Sequence, residues 1–337
     1  MGVLIESIRR CCRICTDIID MGFEFLEEKI YRNRYSRRRG EEPVSMAVAV
    51  EEAKQNAEEQ YKRKECFGTG ISTGFHDVDI MTGGLKPGEV TLIAGRPSMG
   101  KTALALSILE QASVKNEIPC ALFSLEASKE QITQRMLCSI AKVNIHKVRT
   151  GFLSQSDWPK LVAAAEKLSK TPSFIDDTQA LSSFELTRKV RNLKRKHDVQ
   201  LIVVDYLQCT SGLELHWSNE HKFTVFPNLL AKLAKDLNIA VILLSQLPRG
   251  VEERSEHRPY LSDLMEYGEI VNIVDRVFLL YREEYYMPTE DNRGVTDIII
   301  AKQRHGPVGV VNVKFIAEYS KFVDFVNYED VGEREEV

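Results

Sequence analysis

The sequence predicts an α/β fold in which helices flank a mostly parallel central β-sheet, with a β-hairpin near the carboxyl end. Short apolar runs alternate with helical segments from about residue 70 onward, an alternation that favours a doubly wound sheet. Six of these runs are nearly continuous in apolar residues, as strands buried on both faces of a parallel sheet should be. They read VTLIAG, CALFSL, SFIDD, LIVVDYL, AVILLSQ and RVFLLY.

Local signals place several of the remaining elements. Ser128 precedes Gln131 by three residues and Ser182 precedes Glu185 by three, the spacing of a capping box at the start of a helix. Beyond residue 290, VTDIIIAKQRHGPVGVVNVKFI reads as two strands joined by a turn, which is the predicted hairpin. Pro227 lies inside a helical stretch, where it should break or kink the helix.

Composition divides the chain into four regions. Residues 1–40 form an N-terminal extension that ends in the basic run RNRYSRRR, which is either a solvated tail or a contact for nucleic acid or a partner. Residues 41–67 contain SMAVAVEEAKQNAEEQYKR, a segment rich in helix-forming residues but poor in large apolar ones. Residues 68–326 carry the α/β pattern, and residues 327–337 form an acidic tail.

Overall composition is that of a soluble globular protein, with 43% hydrophobic and 28% charged residues among 337. The formal net charge is −4, so nucleic-acid binding would need a local basic surface. No apolar run approaches the roughly 20 residues of a membrane span, so we expect no membrane contact and a cytoplasmic location. The seven scattered cysteines indicate reduced thiols, and Cys12 and Cys15 lack the further ligands that a zinc site requires.

The stretch GRPSMGKT, between a predicted strand and a predicted helix, fits the phosphate-binding loop pattern known as Walker A. In such a loop, backbone N–H groups hold phosphate oxygens, the lysine reaches the β- and γ-phosphates, and the hydroxyl residue binds Mg²⁺. The sequence therefore predicts ATP and Mg²⁺ as ligands. The candidate contacts are Gly95, Arg96, Pro97, Ser98, Met99, Gly100, Lys101 and Thr102.

Three polar residues at the ends of other strands would complete a hydrolytic site. Asp205 ends an apolar strand, as in the Walker B pattern, and would hold Mg²⁺ together with Thr102. Glu126 follows another strand and would either orient the attacking water or serve as an acid at a helix N-terminus. Gln246 ends a third strand and could sense the γ-phosphate.

Together with QRML, VRTG, LSQL, RPYLSDL, LYREEYY and IIAKQRHGPVG, these stretches resemble the RecA-type motor domain of DnaB-like replicative helicases. The resemblance covers about residues 68–325 and implies a RecA-like P-loop NTPase fold. It also implies a homo-hexameric ring that hydrolyses ATP between subunits and moves along single-stranded DNA during replication. A linker helix at 41–67 would dock on the next subunit, and a helicase loader or primase would be a further partner.

The resemblance also assigns roles to individual residues. It implies that Glu126 is the catalytic base, that Gln246 senses the γ-phosphate and that Arg135 lies near the phosphates. Lys302 and Arg304, in the AKQRHG stretch, would reach the ATP of the neighbouring subunit. A planar guanidinium on a hairpin is suited to stabilising transition-state charge in that position.

Two departures from the family pattern leave the function open. Residues 1–40 stand where the family has a collar domain, which puts primase contact in doubt. The loop SDLMEYGEIVNIVD has Met265 where the family's DNA-contact loop usually has arginine, so Glu266 and the backbone near Gly268 are the remaining DNA-binding candidates. The alternative to a helicase is a ring ATPase with weakened DNA binding that acts as a regulatory or assembly module. DYLQ and AKQRHGP disfavour a third class, recombinases and circadian-type ATPases of the same fold.

Overall fold

A computed structural model of the chain describes residues 45–62, 70–179, 181–205, 219–267 and 269–325. The chain divides into an N-terminal unit that ends at Arg63 and a larger unit that begins at Lys64. The predicted extension at 1–40 and the acidic tail at 327–337 lie outside the described residues, so both stay predictions. The CxxC of Cys12 and Cys15 lies outside them as well.

Helix α1, Met46–Lys62, is the described part of the N-terminal unit and confirms the helix predicted there. Ser45 precedes it, and its hydroxyl accepts a hydrogen bond from the Val48 amide at 3.5 Å. Met46, Val48 and Val50 are exposed, so the first turns of α1 present apolar side chains to solvent.

The larger unit is built on one nine-stranded sheet with the order β3-β2-β4-β5-β1-β6-β7-β8-β9. Strands β1 to β6 pair in parallel, and β6 to β9 pair antiparallel. The six predicted parallel strands and the hairpin are confirmed; β9 was not predicted, because its sequence KFVD has only two apolar residues. The strands are β1 Val90–Gly95, β2 Cys120–Ser124, β3 Ser173–Asp176, β4 Leu201–Asp205, β5 Ala240–Gln246, β6 Arg276–Tyr281, β7 Val295–Gln303, β8 Gly309–Ile316 and β9 Lys321–Asp324.

Helices cover both faces of this sheet, as a doubly wound fold requires. One buried cluster packs α2, α3 and α4 against the sheet, and the other packs α7, α8 and α9 against the opposite face. The helices are α2 His76–Thr82, α3 Lys101–Glu110, α4 Lys129–Ala141, α5 Ile145–Thr150, α6 Asp157–Ser169, α7 Ser183–His197, α8 Asn219–Leu237 and α9 Ile270–Ile273. A π turn spans Gln111–Lys115, and 3-10 turns span Arg249–Glu253, Leu261–Tyr267 and Glu283–Tyr285.

Both predicted N-caps are present. Ser182 and Glu185 form the complete reciprocal capping box at the start of α7, with the Glu185 amide donating to the Ser182 hydroxyl at 3.2 Å. At α4 the Ser128 hydroxyl accepts a hydrogen bond from the Gln131 amide at 3.4 Å.

Of the two effects expected of Pro227, the break is excluded, because α8 continues through it from Asn219 to Leu237; the kink stays a prediction. A proline inside a helix costs about 3 kcal/mol. Phe226, Leu230 and Leu233 are buried on the same helix, and each buried side chain of this kind contributes about 1.5–3 kcal/mol. Burial of the apolar face therefore outweighs the local cost of the proline.

The two cysteines among the described residues, Cys120 and Cys138, are free and buried. Burial raises the pKa of the Cys120 thiol to about 12. A thiol that stays protonated is a poor nucleophile, so Cys120 is a core residue.

Candidate nucleotide-binding and hydrolytic site

Strand register brings the predicted site residues to one edge of the sheet. Gly95 at the end of β1 lies beside Gln246 at the end of β5, and Ser124 at the end of β2 lies beside Asp205 at the end of β4. Because these strands are parallel, their carboxyl ends share one edge, where α/β folds bind ligands. Glu126 follows Ser124 by two residues and so lies at the same edge.

The phosphate loop connects β1 directly to α3, and its shape depends on Gly100. Gly100 has φ 96°, in the left-handed region that favours glycine, and it precedes the first residue of α3. A Cβ placed on Gly100 would lie 2.9 Å from the Phe322 ring, so the site has no room for a side chain. No side chain caps α3, which leaves its first amides available for phosphate oxygens.

The Lys101 side chain folds back across the phosphate loop to its first residues. Its Nζ donates to the carbonyl oxygens of Gly95 at 2.9 Å and Arg96 at 3.1 Å. Burial lowers the pKa of Lys101 to about 8, an effect that Asp205 and Glu126 partly oppose. The ammonium is thus partly desolvated and held beside the helix N-terminus where phosphates would lie.

Thr102 and Asp205 form the pair that could hold a metal ion. The Thr102 hydroxyl donates to Asp205 Oδ2 at 2.8 Å, and the Asp205 side chain is buried at the end of β4. Burial raises the pKa of Asp205, while the Thr102 hydrogen bond partly offsets that rise. Two hard oxygen donors at one point fit Mg²⁺, which binds through one or two carboxylates together with substrate phosphates.

These groups surround an open cavity of about 430 Å³, a size typical of ligand sites. Nine of the predicted residues line it: Pro97, Ser98, Gly100, Lys101, Thr102, Glu126, Arg135, Asp205 and Gln246. Glu126 is exposed toward solvent and close enough to Lys101 and Asp205 to affect their pKa values. Arg135, on α4, lowers the pKa of Asp205 from the other side of the cavity.

Three predicted loop residues do not line the cavity, because their groups have partners elsewhere. The buried Arg96 guanidinium donates to the Leu247 carbonyl oxygen at 2.7 Å and to Glu252 at 2.9 Å. Met99 is packed in the core, and the Gly95 carbonyl accepts from Lys101. The side chains of Arg96 and Met99 therefore support the loop, and the Met99 amide itself donates to the Arg96 carbonyl oxygen at 3.3 Å.

The structure adds cavity residues to which sequence reasoning gave no role. Arg149 on α5 lines the cavity, as do Arg282 after β6 and Phe315 on β8. The Arg282 guanidinium lies 4.4 Å from the centre of the Phe315 ring and donates to the Ser98 carbonyl oxygen at 3.3 Å. Arg149 and Arg282 lie in VRTG and LYREEYY, two of the stretches that resemble the family, although neither residue was given a role. No pattern in the sequence around Phe315 indicates that it faces the cavity.

Comparison with known proteins agrees with this geometry. The DnaB-like helicase C terminal domain family matches residues 70–324. The chain belongs to the DnaB-like helicase C-terminal domain family.

Curated relatives include the replicative DNA helicase DnaC of Bacillus subtilis (strain 168), 41% identical over 279 residues, which are 82% of this chain and 61% of that protein. The replicative DNA helicase DnaB of Geobacillus stearothermophilus is 42% identical over 76% of this chain and 57% of its own length. The chain thus spans about three-fifths of the length of these relatives.

Solved structures give the same family. The ATPase domain of G40P is 35% identical, with a TM-score of 0.77, and the match covers 82% of this chain and 99% of that one. A DnaB-like replicative helicase, solved in a study of its interactions with primase, is 32% identical with a TM-score of 0.77, over 94% of this chain and 76% of that one. The predicted RecA-like fold is confirmed.

Within this DnaB-like domain, Lys302 and Arg304 lie outside the chain's own cavity. Lys302 Nζ donates to the carbonyl oxygens of Val271 and, at 2.7 Å, Val274. Arg304 pairs with Asp275 at 3.2 Å and donates to the carbonyl oxygens of Asn272 and Ile273, both at 3.1 Å. Both cations thus hold the end of α9, and their proposed partner in a neighbouring subunit stays a prediction.

The predicted DNA-contact loop is only partly described. Met265 is 65% exposed and stands between the buried Leu264 and the rest of the loop. Asp263 fixes the start of this segment by accepting hydrogen bonds from Arg254 and from the Tyr260 amide at 2.8 Å. Gly268 and the Glu266 side chain lie outside the described residues, so their predicted DNA contacts stay predictions.

Two findings concern the expectations about membranes and metals. Among the described residues, no helix has both the length and the apolar character needed to cross a bilayer. In the same part of the chain, no group of three or more histidine, cysteine and acidic side chains is arranged to hold a metal ion.

Proposed function

We propose that this chain is an ATP-dependent DNA helicase of the DnaB-like class, which hydrolyses ATP at the subunit interfaces of a homo-hexameric ring. It would move on single-stranded DNA during DNA replication in the cytoplasm. The observation that carries this proposal is the meeting of Lys101, the Thr102–Asp205 pair and Glu126 around one cavity at the carboxyl edge of the sheet.

Each residue has a role that follows from its position. Lys101 and the first amides of α3 bind the phosphates, and Thr102 and Asp205 hold Mg²⁺. When bound, Mg²⁺ neutralises charge on the β- and γ-phosphate oxygens. Glu126 accepts a proton from the attacking water, since it is an exposed carboxylate that lines the cavity.

The nucleoside would lie toward the β8 side of the cavity. The planar Arg282 guanidinium lies over the Phe315 ring there, and a purine ring can stack on the guanidinium. Arg135 and Arg149 add positive charge to the same cavity. Arg304 and Lys302 of a neighbouring subunit would supply the charge that stabilises the transition state.

Two apolar surfaces support ring assembly. Helix α1 exposes Met46, Val48 and Val50, and a groove of about 730 Å³ between α4 and α6 is lined by Leu137 and Leu161 with the exposed Trp158 at its rim. Docking α1 of one copy into this groove of the next would bury both surfaces. A helicase loader or a primase is a further proposed partner.

One specific observation favours a second candidate, a ring ATPase with weak DNA binding that acts as a regulatory or assembly module. Met265 is an exposed apolar residue where phosphate contact would need a cation. The ATP chemistry of the two candidates is the same, so only their response to DNA separates them.

The test measures the ATPase rate with and without single-stranded DNA, together with the native mass in a non-hydrolysable ATP analogue. A helicase should form hexamers, be stimulated by DNA and unwind a forked duplex, and Lys101→Ala should abolish all hydrolysis. ATP hydrolysis by a ring that ignores DNA would select the second candidate. A parent chain that hydrolyses no more ATP than Lys101→Ala would contradict both.

A further inference from the structure

Helix α7 concentrates positive charge in a chain whose net charge is −4. Six of its fifteen residues are lysine or arginine and one is acidic, so the helix carries a net charge of +5. The acid, Glu185, is used in the capping box at the first turn. The remainder of α7 is therefore basic along its whole length.

Half of these cations are neutralised by the surrounding structure and half are not. Lys189 pairs with Asp176 at 2.6 Å, Arg191 with Asp236 at 3.2 Å and Lys194 with Asp198 at 2.8 Å. Arg188, Arg195 and Lys196 are exposed, and no carboxylate of the described residues lies within ion-pair distance of them. Arg195 donates to Asn192 Oδ1 at 3.1 Å, and Arg195 and Lys196 favour the C-terminal end of the helix dipole, but all three cations keep their charge free of a carboxylate partner among the described residues.

A cavity of about 350 Å³ lies beside this basic surface, between α7 and the edge strand β3. Its wall is apolar, formed by Phe174, Ile175 and Leu193, and its rim carries Lys196 and His197. The rings of Phe174 and His197 have centroids 4.4 Å apart. An aromatic wall thus stands next to unpaired cations in a concave site.

This combination matches the chemistry of single-stranded nucleic acid. Sites for single strands join cations that follow the phosphates to aromatic side chains on which bases stack. The groove also lies on the same face of the sheet as the loop around Met265. Residues of α7 pack in the same buried cluster as α9 and Leu264, the residue before Met265. The groove at β3 is five strand spacings from β6, the strand that follows the loop and α9. At ~4.8 Å per spacing this distance across the sheet is about 24 Å.

We propose that the groove between β3 and α7 is a second site for single-stranded nucleic acid, separate from the loop around Met265. Arg188, Arg195 and Lys196 contact phosphates, and a base stacks on the wall formed by Phe174 and His197. The inference rests on the proposed function, since it assumes that the chain binds DNA. It supplies cations on the face where the loop around Met265 lacks them.

The test uses the full chain with Mg²⁺ and a non-hydrolysable ATP analogue, and measures binding of a fluorescent oligothymidine at several salt concentrations. The double variant Arg195→Gln/Lys196→Gln should flatten the dependence of log affinity on log salt by about 1.4, or ~0.7 for each lost phosphate contact. Lys167→Gln/Lys170→Gln is the matched control, with the same charge change at two exposed positions, one in the last turn of α6 and one directly after it. That control should keep the parent slope.

The aromatic wall is tested separately. Phe174→Leu keeps an apolar side chain in the wall but removes the ring, and it should weaken binding about fivefold or more while leaving the salt slope unchanged. Oligonucleotides with iododeoxyuridine should crosslink on irradiation to peptides that contain Phe174 or His197.

The outcomes are distinct. A parent chain that binds no single-stranded DNA contradicts the proposed function itself. A parent that binds, with a double variant that keeps the parent slope and no crosslinks at β3 or α7, overturns the groove site alone. If a peptide of residues 327–337 binds the parent but not the double variant while DNA binding is unaffected, the groove is a peptide site and the proposal is wrong.

Discussion

The nucleotide edge of the sheet and the loop around Met265 differ in how their polar groups are arranged. At the nucleotide edge, Lys101 and Thr102 already have partners within 3.1 Å, and these partners lie at the ends of β1 and β4 or in the loop that follows β1. In the loop, Asp263 and Leu264 anchor the backbone, yet the exposed position is an apolar Met265. The polar groups of the nucleotide edge are therefore already positioned to bind a charged ligand. In the described part of the loop, the backbone is fixed but no cation is positioned to bind a phosphate.

The nucleotide edge and the loop around Met265 should differ in how well they tolerate the loss of a charged side chain. Phosphoryl transfer depends on positioning at the scale of a few tenths of an ångström, so a lost side chain at the nucleotide edge removes activity. Binding to a phosphate backbone depends on the number of nearby cations, and these can be supplied from another surface. Lys302 and Arg304 both hold the end of α9 just after the loop, and they would connect it to the nucleotide edge of a neighbouring subunit if they act there as proposed.

Replacing Arg304 tests that connection most strongly. If Arg304 acts in a neighbour's site, Arg304→Ala should lower the ATPase rate by about 10³–10⁵-fold, the range for an arginine that stabilises the transition state. The fold should survive, since the buried Asp275 keeps the Val90 amide as a hydrogen-bond donor at 2.9 Å when the Arg304 guanidinium is lost. Steady-state rates and melting temperatures check both parts, with the exposed Lys314→Ala on β8 as control.

Mixed rings decide whether the site is shared. Arg304→Ala subunits combined with Lys101→Ala subunits should recover part of the activity, because some interfaces then hold an intact loop and an intact arginine. Absence of recovery in rings proven to be mixed by native mass spectrometry would argue that Arg304 acts only on α9 of its own chain.

Glu126 separates catalysis from binding within the nucleotide edge. Glu126→Gln should reduce kcat by about 10²–10⁴-fold, the usual contribution of a general base, with ATP affinity kept. Glu130→Gln is the matched control, since Glu130 is an exposed acid in the first turn of α4 that does not line the cavity. Equal effects of the two variants would mean that Glu126 acts as a helix N-terminal acid instead.

The partly buried Lys101 gives the site a pH dependence. Its pKa of about 8 in the free protein should rise when phosphates bind, so binding takes up a proton above pH 8 and none below about pH 7. ATP affinity should therefore fall above pH 8 by up to about tenfold per pH unit, which is the limit when binding takes up one proton. Calorimetry in buffers of different ionisation enthalpy measures the number of protons that are taken up when ATP binds. Lys101→Arg stays charged and should bind with no such dependence.

Sequence reasoning predicted the fold where local chemistry and tertiary structure agree. The strands β1 to β8 are short apolar runs bounded by polar residues, and the phosphate loop has its glycines at fixed spacing, so both could be read from local pattern. Local sequence could not show that the helix continues through Pro227, because the burial that offsets its cost comes from packing α8 against strands distant in the sequence.

The parts of the site that escaped prediction depend on contacts between distant segments. The Arg96 side chain is held by Leu247 and Glu252, which lie some 150 positions away in the sequence. Phe315 reaches the cavity only because β8 and β9 continue the sheet beyond β6. Neither contact leaves a periodic or spacing signal, so no reading of the sequence alone could have placed these side chains.

The smallest expected effect concerns Met265 and bears on the loop itself. Met265→Arg places a cation at an exposed position without disturbing the core, and one new phosphate contact should steepen the salt dependence of single-stranded DNA binding by about 0.7. Met287→Arg is the matched control, since Met287 is the same residue type at 66% exposure, against 65% for Met265, and lies on another segment. If Met265→Arg gives the parent slope while Arg195→Gln/Lys196→Gln flattens it, the strand follows the groove beside α7 and bypasses the loop. If Met265→Arg steepens the slope, the loop still faces DNA, and the loss of a cation there has weakened a contact without moving the path of the strand.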